Sequence, residues 1–444
     1  MIDFSGKKFG MISLGCDKNR VDTEKLLSII KSRGGLLTDD IQSAQVVIVN
    51  TCAFLNEARK EAIETVLDCA AYKSGNLEKL VVTGCLPQKF IGETFGALTE
   101  ADVFLGTKDY DKFFEALEKS YEDGRVNYVG TGRAEPSCER VVTTPEHYAY
   151  LKIADGCNNR CTYCLIPKIR GKYQSVPMEE LVREAENLGD VSELILVAQD
   201  VTRYGIDIYG QKKLVEILQK LTTLVNINSV RLLYCYPDQI SDELIEEIKN
   251  NPKIVKYLDI PLQHSEDGIL KLMNRPAGRA EYLQLIKRLR TSIPEIAIRS
   301  TFIAGFPTET EENFDGLCAF LREAQLDNCG FFAYSREPDT PAYKLKGQIP
   351  YSIKKRRVKR LYEIQSEISY GKLKKYVGKT LKVLCDGIDY DKNCFVGRAY
   401  FQAPDIDGKV YFNAYEASQG EYYDVLIEKN DSYDLYGRTK DFEI

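Results

Sequence analysis

Tyr148-Ala149-Tyr150-Leu151-Lys152-Ile153-Ala154-Asp155-Gly156-Cys157-Asn158-Asn159-Arg160-Cys161-Thr162-Tyr163-Cys164 is the stretch from which the rest of the chain is read. The apolar run Tyr148 to Ile153 predicts a strand, and three cysteines follow it at C-x3-C-x2-C spacing. Thiolates are the usual ligands of iron–sulfur clusters, and a four-iron cluster normally takes four of them. Three thiolates leave one iron with an open position where a small molecule can bind. A zinc knuckle is the competing reading, but such sites usually add a fourth Cys or His at short spacing, and none follows here. Three unpaired buried thiols are the blandest alternative.

Strand–helix alternation continues downstream. Strand-like runs lie near Tyr148–Ile153, Leu194–Ala198, Val230–Tyr234, Tyr257–Ile260, Ala297–Ile303 and Gly330–Tyr334. Amphipathic helical patterns follow most of them, as at Glu179–Leu188, Leu214–Leu224 and Glu311–Ala324. Six such units predict a partial parallel (β/α)6 barrel rather than a closed eight-stranded one, with its chemistry at the C-terminal strand ends. Gln199-Asp200 ends the second strand, Asp259 to His264 covers the fourth, and Arg299 to Thr301 lies on the fifth. Gly305 to Glu311 follows, with Thr308 or Thr310 placed to cap the next helix. Backbone groups there can hold an adenine or ribose, although ordinary loops and caps look the same. His264 reads equally well as a hydrogen-bonded structural residue.

Upstream, strand-like runs at Phe9–Leu14, Val46–Val49 and Leu80–Thr83 alternate with helical segments, which predicts a parallel sheet. The first helix is read as Val21 to Arg33, capped by Asp22 or Thr23 and stopped by Gly34-Gly35. Cys16, Cys52 and Cys85 each follow one of those strands. Ligands of open parallel sheets bind beyond the carboxyl ends of the strands, so three distant thiols share one edge. Small buried residues are the alternative, but three at equivalent positions favour a second three-thiolate site. Cys69, Cys138, Cys235, Cys318, Cys329, Cys385 and Cys394 lack such placement and read as packing residues.

Composition narrows the function. The 444 residues carry a net charge of −6, against strong non-specific nucleic-acid binding by the whole molecule. Thirteen cysteines without a secretory signal or a membrane-length apolar stretch predict metal or redox work in the cytoplasm, without disulfides. His147 and His264 are the only histidines, which excludes a mechanism built on several of them.

Tyr351 to Tyr376 predicts a long helix whose Lys354, Lys355, Arg356, Arg357, Lys359 and Arg360 read as a solvated face. Short alternating runs at Leu381–Cys385, Phe395–Phe401, Lys409–Phe412, Tyr423–Ile427 and Tyr433–Arg438 then predict a small five-stranded barrel of the oligonucleotide-binding type. From Val377 to Ile444, eight Lys and Arg stand against thirteen Asp and Glu, a net of −5. An acidic barrel repels phosphate and suits a basic protein partner, such as a ribosomal protein.

These residues resemble the methylthiotransferase family of radical S-adenosylmethionine (SAM) enzymes over essentially the whole chain. The resemblance rests on Ser13-Leu14-Gly15-Cys16-Asp17-Lys18-Asn19 with Asp22 and Glu24, Asn50-Thr51-Cys52, Thr83-Gly84-Cys85, the Cys157 triad, Ile166-Pro167 and Arg170-Gly171. Tyr204-Gly205, Leu258 to His264 and Phe332 to Glu337 are closest to the branch that methylthiolates an aspartate of ribosomal protein S-twelve. Asp17 in place of proline, and Glu337-Pro338-Asp339-Thr340-Pro341 in place of Glu-Glu-Gly-Thr-Pro, depart from that pattern. The Gly-Gly-Glu motif of radical SAM enzymes is absent, and Gln199-Asp200 stands in its place.

The resemblance implies a flavodoxin-like N-terminal α/β domain at 1–132, a linker at 133–145, a radical SAM domain at 146–375 and a small β-barrel TRAM domain at 376–444. It implies two [4Fe–4S] clusters. Cys157, Cys161 and Cys164 would hold the one that binds SAM and cleaves it to a 5′-deoxyadenosyl radical. Cys16, Cys52 and Cys85 would hold the auxiliary one, which carries the sulfur. Gln199, Asp200, Arg299 and Gly305 are the candidate SAM contacts. Ribosomal protein S-twelve or the small ribosomal subunit, an electron donor and a sulfur donor are the implied partners. The tRNA-modifying branch shares the cluster cysteines, and a two-cluster electron carrier shares the clusters, so both stay open.

Overall fold

The computed structural model describes residues 2–132 and 139–442. Cys138 and the expected linker residues 133–138 lie outside the described residues. The chain forms two compact units: residues 1–143, 154–160 and 164–187 make one, and residues 144–153, 161–163 and 188–444 the other.

The first unit is built on a six-stranded parallel sheet of β1 (Lys8–Ser13), β2 (Leu36–Thr38), β3 (Val46–Thr51), β4 (Lys79–Gly84), β5 (Val103–Phe104) and β6 (Val126–Asn127). Its order is β2-β1-β3-β4-β5-β6, a flavodoxin-like arrangement extended by one strand. Val46, Val47, Ile48 and Val49 are fully buried. Helices therefore cover both faces, and each such side chain contributes about 1.5–3 kcal/mol. Those helices are α1 (Asp17–Ser32), α2 (Asn56–Ala70), α3 (Cys85–Ala97) and α4 (Phe113–Asp123).

Asp22 and Thr23 do not cap the first helix. It begins at Asp17, with Cys16 in the N-cap position, and both residues are buried inside it. Sequence periodicity missed the first turn because Asp17 to Arg20 carries no apolar residue. Three strands of two or three residues were also too short to register.

Next in the chain comes β7 (Tyr148–Lys152), a strand of the second unit. A short antiparallel pair, β8 (Ala154–Asp155) and β9 (Gln174–Ser175), belongs to the first unit, as do α5 (Ile166–Ile169) and α6 (Met178–Glu186). Leu165 and Ile169 complete the hydrophobic cluster formed by Val47, Val49, Val82 and Leu86.

The second unit opens on β7 and continues with β10 (Glu193–Val197), β11 (Val230–Leu232), β12 (Ile254–Asp259), β13 (Ala297–Ala304) and β14 (Asn328–Ala333). These six strands run parallel, each beside the next in sequence, as in an opened barrel. The intervening helices are α7 (Leu214–Thr223), α8 (Asp242–Asn250), α9 (Asp267–Leu272), α10 (Arg279–Ser292) and α11 (Glu311–Ala324). Thr310, not Thr308, caps α11, with its hydroxyl accepting from the Asn313 backbone.

The long basic helix α12 (Tyr351–Lys374) is not solvated on all its cations. Lys354 is buried and donates to the Tyr334 carbonyl, and Arg357 is buried against Glu309. Cationic side chains with long apolar stems can face inward when the head finds an acceptor.

Strands β15 (Thr380–Asp389), β16 (Cys394–Arg398), β17 (Val410–Asn413), β18 (Tyr422–Asn430) and β19 (Leu435–Thr439) close a barrel in the order β15-β16-β17-β19-β18. Its β17–β19 pair is parallel, and the others are antiparallel. This barrel is joined to the six-stranded sheet by buried ions. The Glu193 carboxylate lies between Arg398 and Arg231, the latter at 2.6 Å. Asp386 accepts from Arg398 Nε at 2.9 Å and sits 2.8 Å from His147 Nε2. The Asp407 side chain is fully buried, accepts from Tyr257 Oη at 2.7 Å and lies 3.3 Å from Arg299 Nε. Part of the barrel's acidity is thus internal, although more acids than bases remain for its surface.

Candidate metal centres

Cys52 and Cys85 directly follow β3 and β4, and Cys16 follows β1 after Leu14 and Gly15. The first two flank the point where the strand order reverses, the place where open α/β sheets bind ligands. All three are free thiols. Backbone geometry brings the loops together. Gly15 has φ +92°, and a Cβ there would lie 2.7 Å from Cys52 Cβ. Gly84 has φ +95°, and a Cβ there would lie 2.3 Å from Asn50 Oδ1. Only glycine satisfies both the left-handed turn and the close approach.

A polar lattice locks the same loops. Asn19 Nδ2 donates to the carbonyls of Leu14 and Thr51 at 2.9 and 3.1 Å. Asn50 Nδ2 donates to the Asn19 carbonyl and to Thr23 Oγ1, both at 2.9 Å. The Cys85 thiol donates to Asn19 Oδ1 at 3.7 Å, and Arg170 Nη2 donates to Cys85 Sγ at 3.6 Å. Burial pushes the Cys85 thiol up to about 11, against the opposing pull of Arg170; the nearby Cys52 and Cys16 push in the same direction as burial. Burial raises Cys52 as well. Three thiols close enough to influence one another's charge are the donor set that a cluster ligated by three thiolates requires.

In the triad loop, Asn159 N–H donates to Cys157 Sγ and Ile166 N–H to Cys164 Sγ, each at 3.4 Å. Backbone N–H groups aimed at sulfur favour the thiolate form that binds metal. Gly156 has φ +75°, and a Cβ there would lie 2.2 Å from the Lys172 carbonyl oxygen, which fixes the entry to the loop. Cys161 Sγ lies 3.6 Å from Tyr236 Oη and accepts from Arg275 Nη1 at 3.9 Å. Arg275 stacks 4.0 Å over the Tyr236 ring and donates to the Pro261 carbonyl.

No three Cys, His, Asp or Glu side chains among the described residues gather around a single metal-ion position. Cluster ligation does not demand this, because each thiolate binds its own iron.

The C-terminal edge of the open sheet carries three non-glycine residues in the left-handed region: Tyr234 after β11, Gln263 after β12 and Thr308 after β13. Such conformations concentrate at ligand sites. On β13, Arg299, Thr301 and Ile303 alternate with buried neighbours and stay half-buried, and Phe332 on β14 is exposed. Gln199 lies half-buried on the same edge.

Two expected SAM contacts are engaged elsewhere. Asp200 is fully buried, where it caps the turn at Val201–Arg203 and binds Thr202 and Arg203. Arg299 lies near the middle of its strand, paired with Asp259 at 3.0 Å and with Asp407. Gly305 has φ +76°, donates to Glu309 Oε2, and gives way to the Lys354 stem 2.3 Å from where its Cβ would be. Sequence reasoning placed these residues by strand ends alone, which does not show whether a side chain already has a partner. His264 is fully buried, with Nδ1 accepting from Glu266 N–H and Nε2 3.3 Å from Glu309, a structural role.

Cys69, Cys235, Cys318 and Cys385 are buried, and Cys329 and Cys394 half-buried, all as free thiols. Asn19 and Arg170 stand in the motifs that carry the resemblance but without a role read for them, Arg275 in none, and only the fold brings the three to the thiols.

Three family models match the chain: the radical SAM superfamily over residues 151–321, an uncharacterized protein family, UPF0004, over 8–106, and the TRAM domain over 377–439. Fold and cysteine loop together define a radical SAM enzyme, a class that uses an iron–sulfur cluster and SAM. The chain resembles the radical SAM methyltransferase TsrM of Kitasatospora setae, solved with cobalamin and a [4Fe–4S] cluster, at TM-score 0.57 and 15% identity over 76% of this chain and 77% of that one. At that identity the likeness concerns the fold alone.

The ribosomal protein uS12 methylthiotransferase RimO of Lachnoclostridium phytofermentans is 46% identical over 98% of this chain and 100% of its own length. That of Clostridium botulinum is 46% identical over 98% of each. The chain belongs to this RimO family of methylthiotransferases, sulfur-inserting radical SAM enzymes. None of the helices among the described residues is long and apolar enough to cross a membrane.

Proposed function

We propose that this enzyme methylthiolates the β-carbon of an aspartate in ribosomal protein S12, acting in the cytoplasm with an electron donor and a sulfur donor. Its modules are 1–132, 146–375 and 376–444, with 133–145 as the linker. Cys157, Cys161 and Cys164 would hold the [4Fe–4S] cluster that serves SAM, and Cys16, Cys52 and Cys85 would hold the other. When bound, these groups supply the radical that removes hydrogen from the β-carbon and the sulfur that replaces it, chemistry beyond any side chain.

The protein's own residues position and insulate. Asn159 and Ile166 N–H groups orient the sulfurs of Cys157 and Cys164, and Arg275 orients that of Cys161. Gln199 and the half-buried Thr301 and Ile303 would line the SAM site, while Gly305 shapes the turn and Asp200 fixes the neighbouring loop. The small barrel, anchored through Glu193 and Asp407, offers an acidic surface to a basic ribosomal protein.

The observation that carries this reading is a second cysteine set at three strand ends of one sheet, in a chain related over its full length to the RimO enzymes. The test offers S12 and tRNA in parallel to the reconstituted enzyme with SAM and reductant, followed by mass spectrometry. A methylthio group on an S12 aspartate supports the proposal. Modified adenosine in tRNA instead moves the substrate to RNA, and SAM cleavage with neither product refutes both substrates.

A further inference from the structure

We infer that Arg170 is a positioning residue for the second cluster: its guanidinium, fixed by Asp22, Asp155 and Asn19, donates to the Cys85 sulfur and raises the reduction potential of the cluster there. The inference rests on the proposal that Cys16, Cys52 and Cys85 ligate a cluster.

The side chain is 2% exposed, and it reaches Asp22 Oδ2 at 2.5 Å and Asp155 Oδ2 at 3.1 Å through Nη1. Nη2 donates to Asn19 Oδ1 and, at 3.6 Å, to Cys85 Sγ. Asp155 precedes the triad loop and Arg170 follows it, whereas Asn19 and Asp22 belong to α1 and Cys85 to α3, the helices that follow β1 and β4 of the flavodoxin-like sheet. A structural clamp would be complete with the two aspartates and the asparagine. The contact to sulfur is additional, and it falls on the most buried thiol of the three.

Hydrogen bonds and positive charge at a ligating sulfur favour the reduced, more negative cluster. Loss of the guanidinium also removes its positive charge from beside the Asp22 and Asp155 carboxylates, which acts in the same direction. Lysine keeps the charge but not the planar fork that serves four partners at once.

The test uses the full chain carrying Cys157→Ala, Cys161→Ala and Cys164→Ala, reconstituted anaerobically so that only the second cluster is present. Redox titration followed by electron paramagnetic resonance then compares Arg170 with Arg170→Gln and Arg170→Lys, with circular dichroism as the check on folding. The expected result is a midpoint shifted to more negative potential in R170Q, with R170K between the two. Where R170Q fails to load, R170K alone decides, and its midpoint must still fall below that of the parent. Unchanged midpoints in loaded variants overturn the inference. Absence of any cluster in the parent overturns the second site itself, and the inference with it.

Discussion

Glu193→Gln is the most informative single perturbation of the seam between the open sheet and the small barrel. Glu193 opens β10 and faces Arg231 and Arg398, and all three side chains are buried. Burial pushes its carboxyl up, but the charges and hydrogen bonds of the two arginines outweigh this and hold it at about 2. A carboxyl held some 2.5 pH units below its ordinary 4.5 contributes roughly 3 kcal/mol to folding at neutral pH. Because the folded value is depressed, that stability is present above about pH 4.5 and is lost as pH falls toward 2. The glutamine removes the carboxylate between two buried guanidinium groups and leaves Arg398 with Asp386 alone, and breaking a buried ion pair typically costs about 3–5 kcal/mol. With a urea slope of about 3 kcal/mol/M, the midpoint drops by about 1 M at pH 7. The chain has no Trp, so far-UV circular dichroism is the probe. The gap between wild type and E193Q should narrow below pH 4.5, and Arg398→Met should relieve part of the loss. A difference within about 0.5 kcal/mol at pH 7, typical of a surface change, would refute the reasoning.

Further outcomes follow from the thiol sites. Gly15→Ala forces a Cβ against Cys52, so iron content should fall from about eight to about four atoms per chain while SAM cleavage persists. Substitution of Cys157, Cys161 or Cys164 should abolish SAM cleavage yet leave iron bound at the other three cysteines. Cys85 must lose a proton to bind iron, so loading of its site should strengthen by up to about tenfold per pH unit between 7 and 9, read by iron-dependent absorbance. Cys318→Ala and Cys394→Ala should leave the iron content unchanged.

Much of this architecture was legible in the sequence because parallel strands buried on both faces leave continuous apolar runs. Val46–Val49 and Leu194–Val197 are such runs, and both lie in strands paired on either side. The cysteines were legible for a related reason, since a residue placed just after a strand has a known location in a parallel sheet. What escaped reading depends on partners far away in sequence. Arg170 meets Asn19 and Asp22 across about 150 residues. Arg299 looked available at a strand until Asp407, from the small barrel, was found beside it. Lys354 and Arg357 looked solvated because composition does not show which side of a helix meets a carbonyl or a carboxylate. The flanks of the triad loop, with Leu165 and Ile169 in the core of the flavodoxin-like sheet, gave no sign of that packing in sequence.

The central claim is that two sets of three thiols divide radical generation from sulfur delivery. Tandem mass spectrometry of S12 treated with wild type and with a Cys16→Ala, Cys52→Ala, Cys85→Ala variant tests it most directly, with 5′-deoxyadenosine measured in the same reactions. The account predicts deoxyadenosine from both proteins and a methylthio aspartate from the wild type alone. A methylthio aspartate formed by the variant would contradict it.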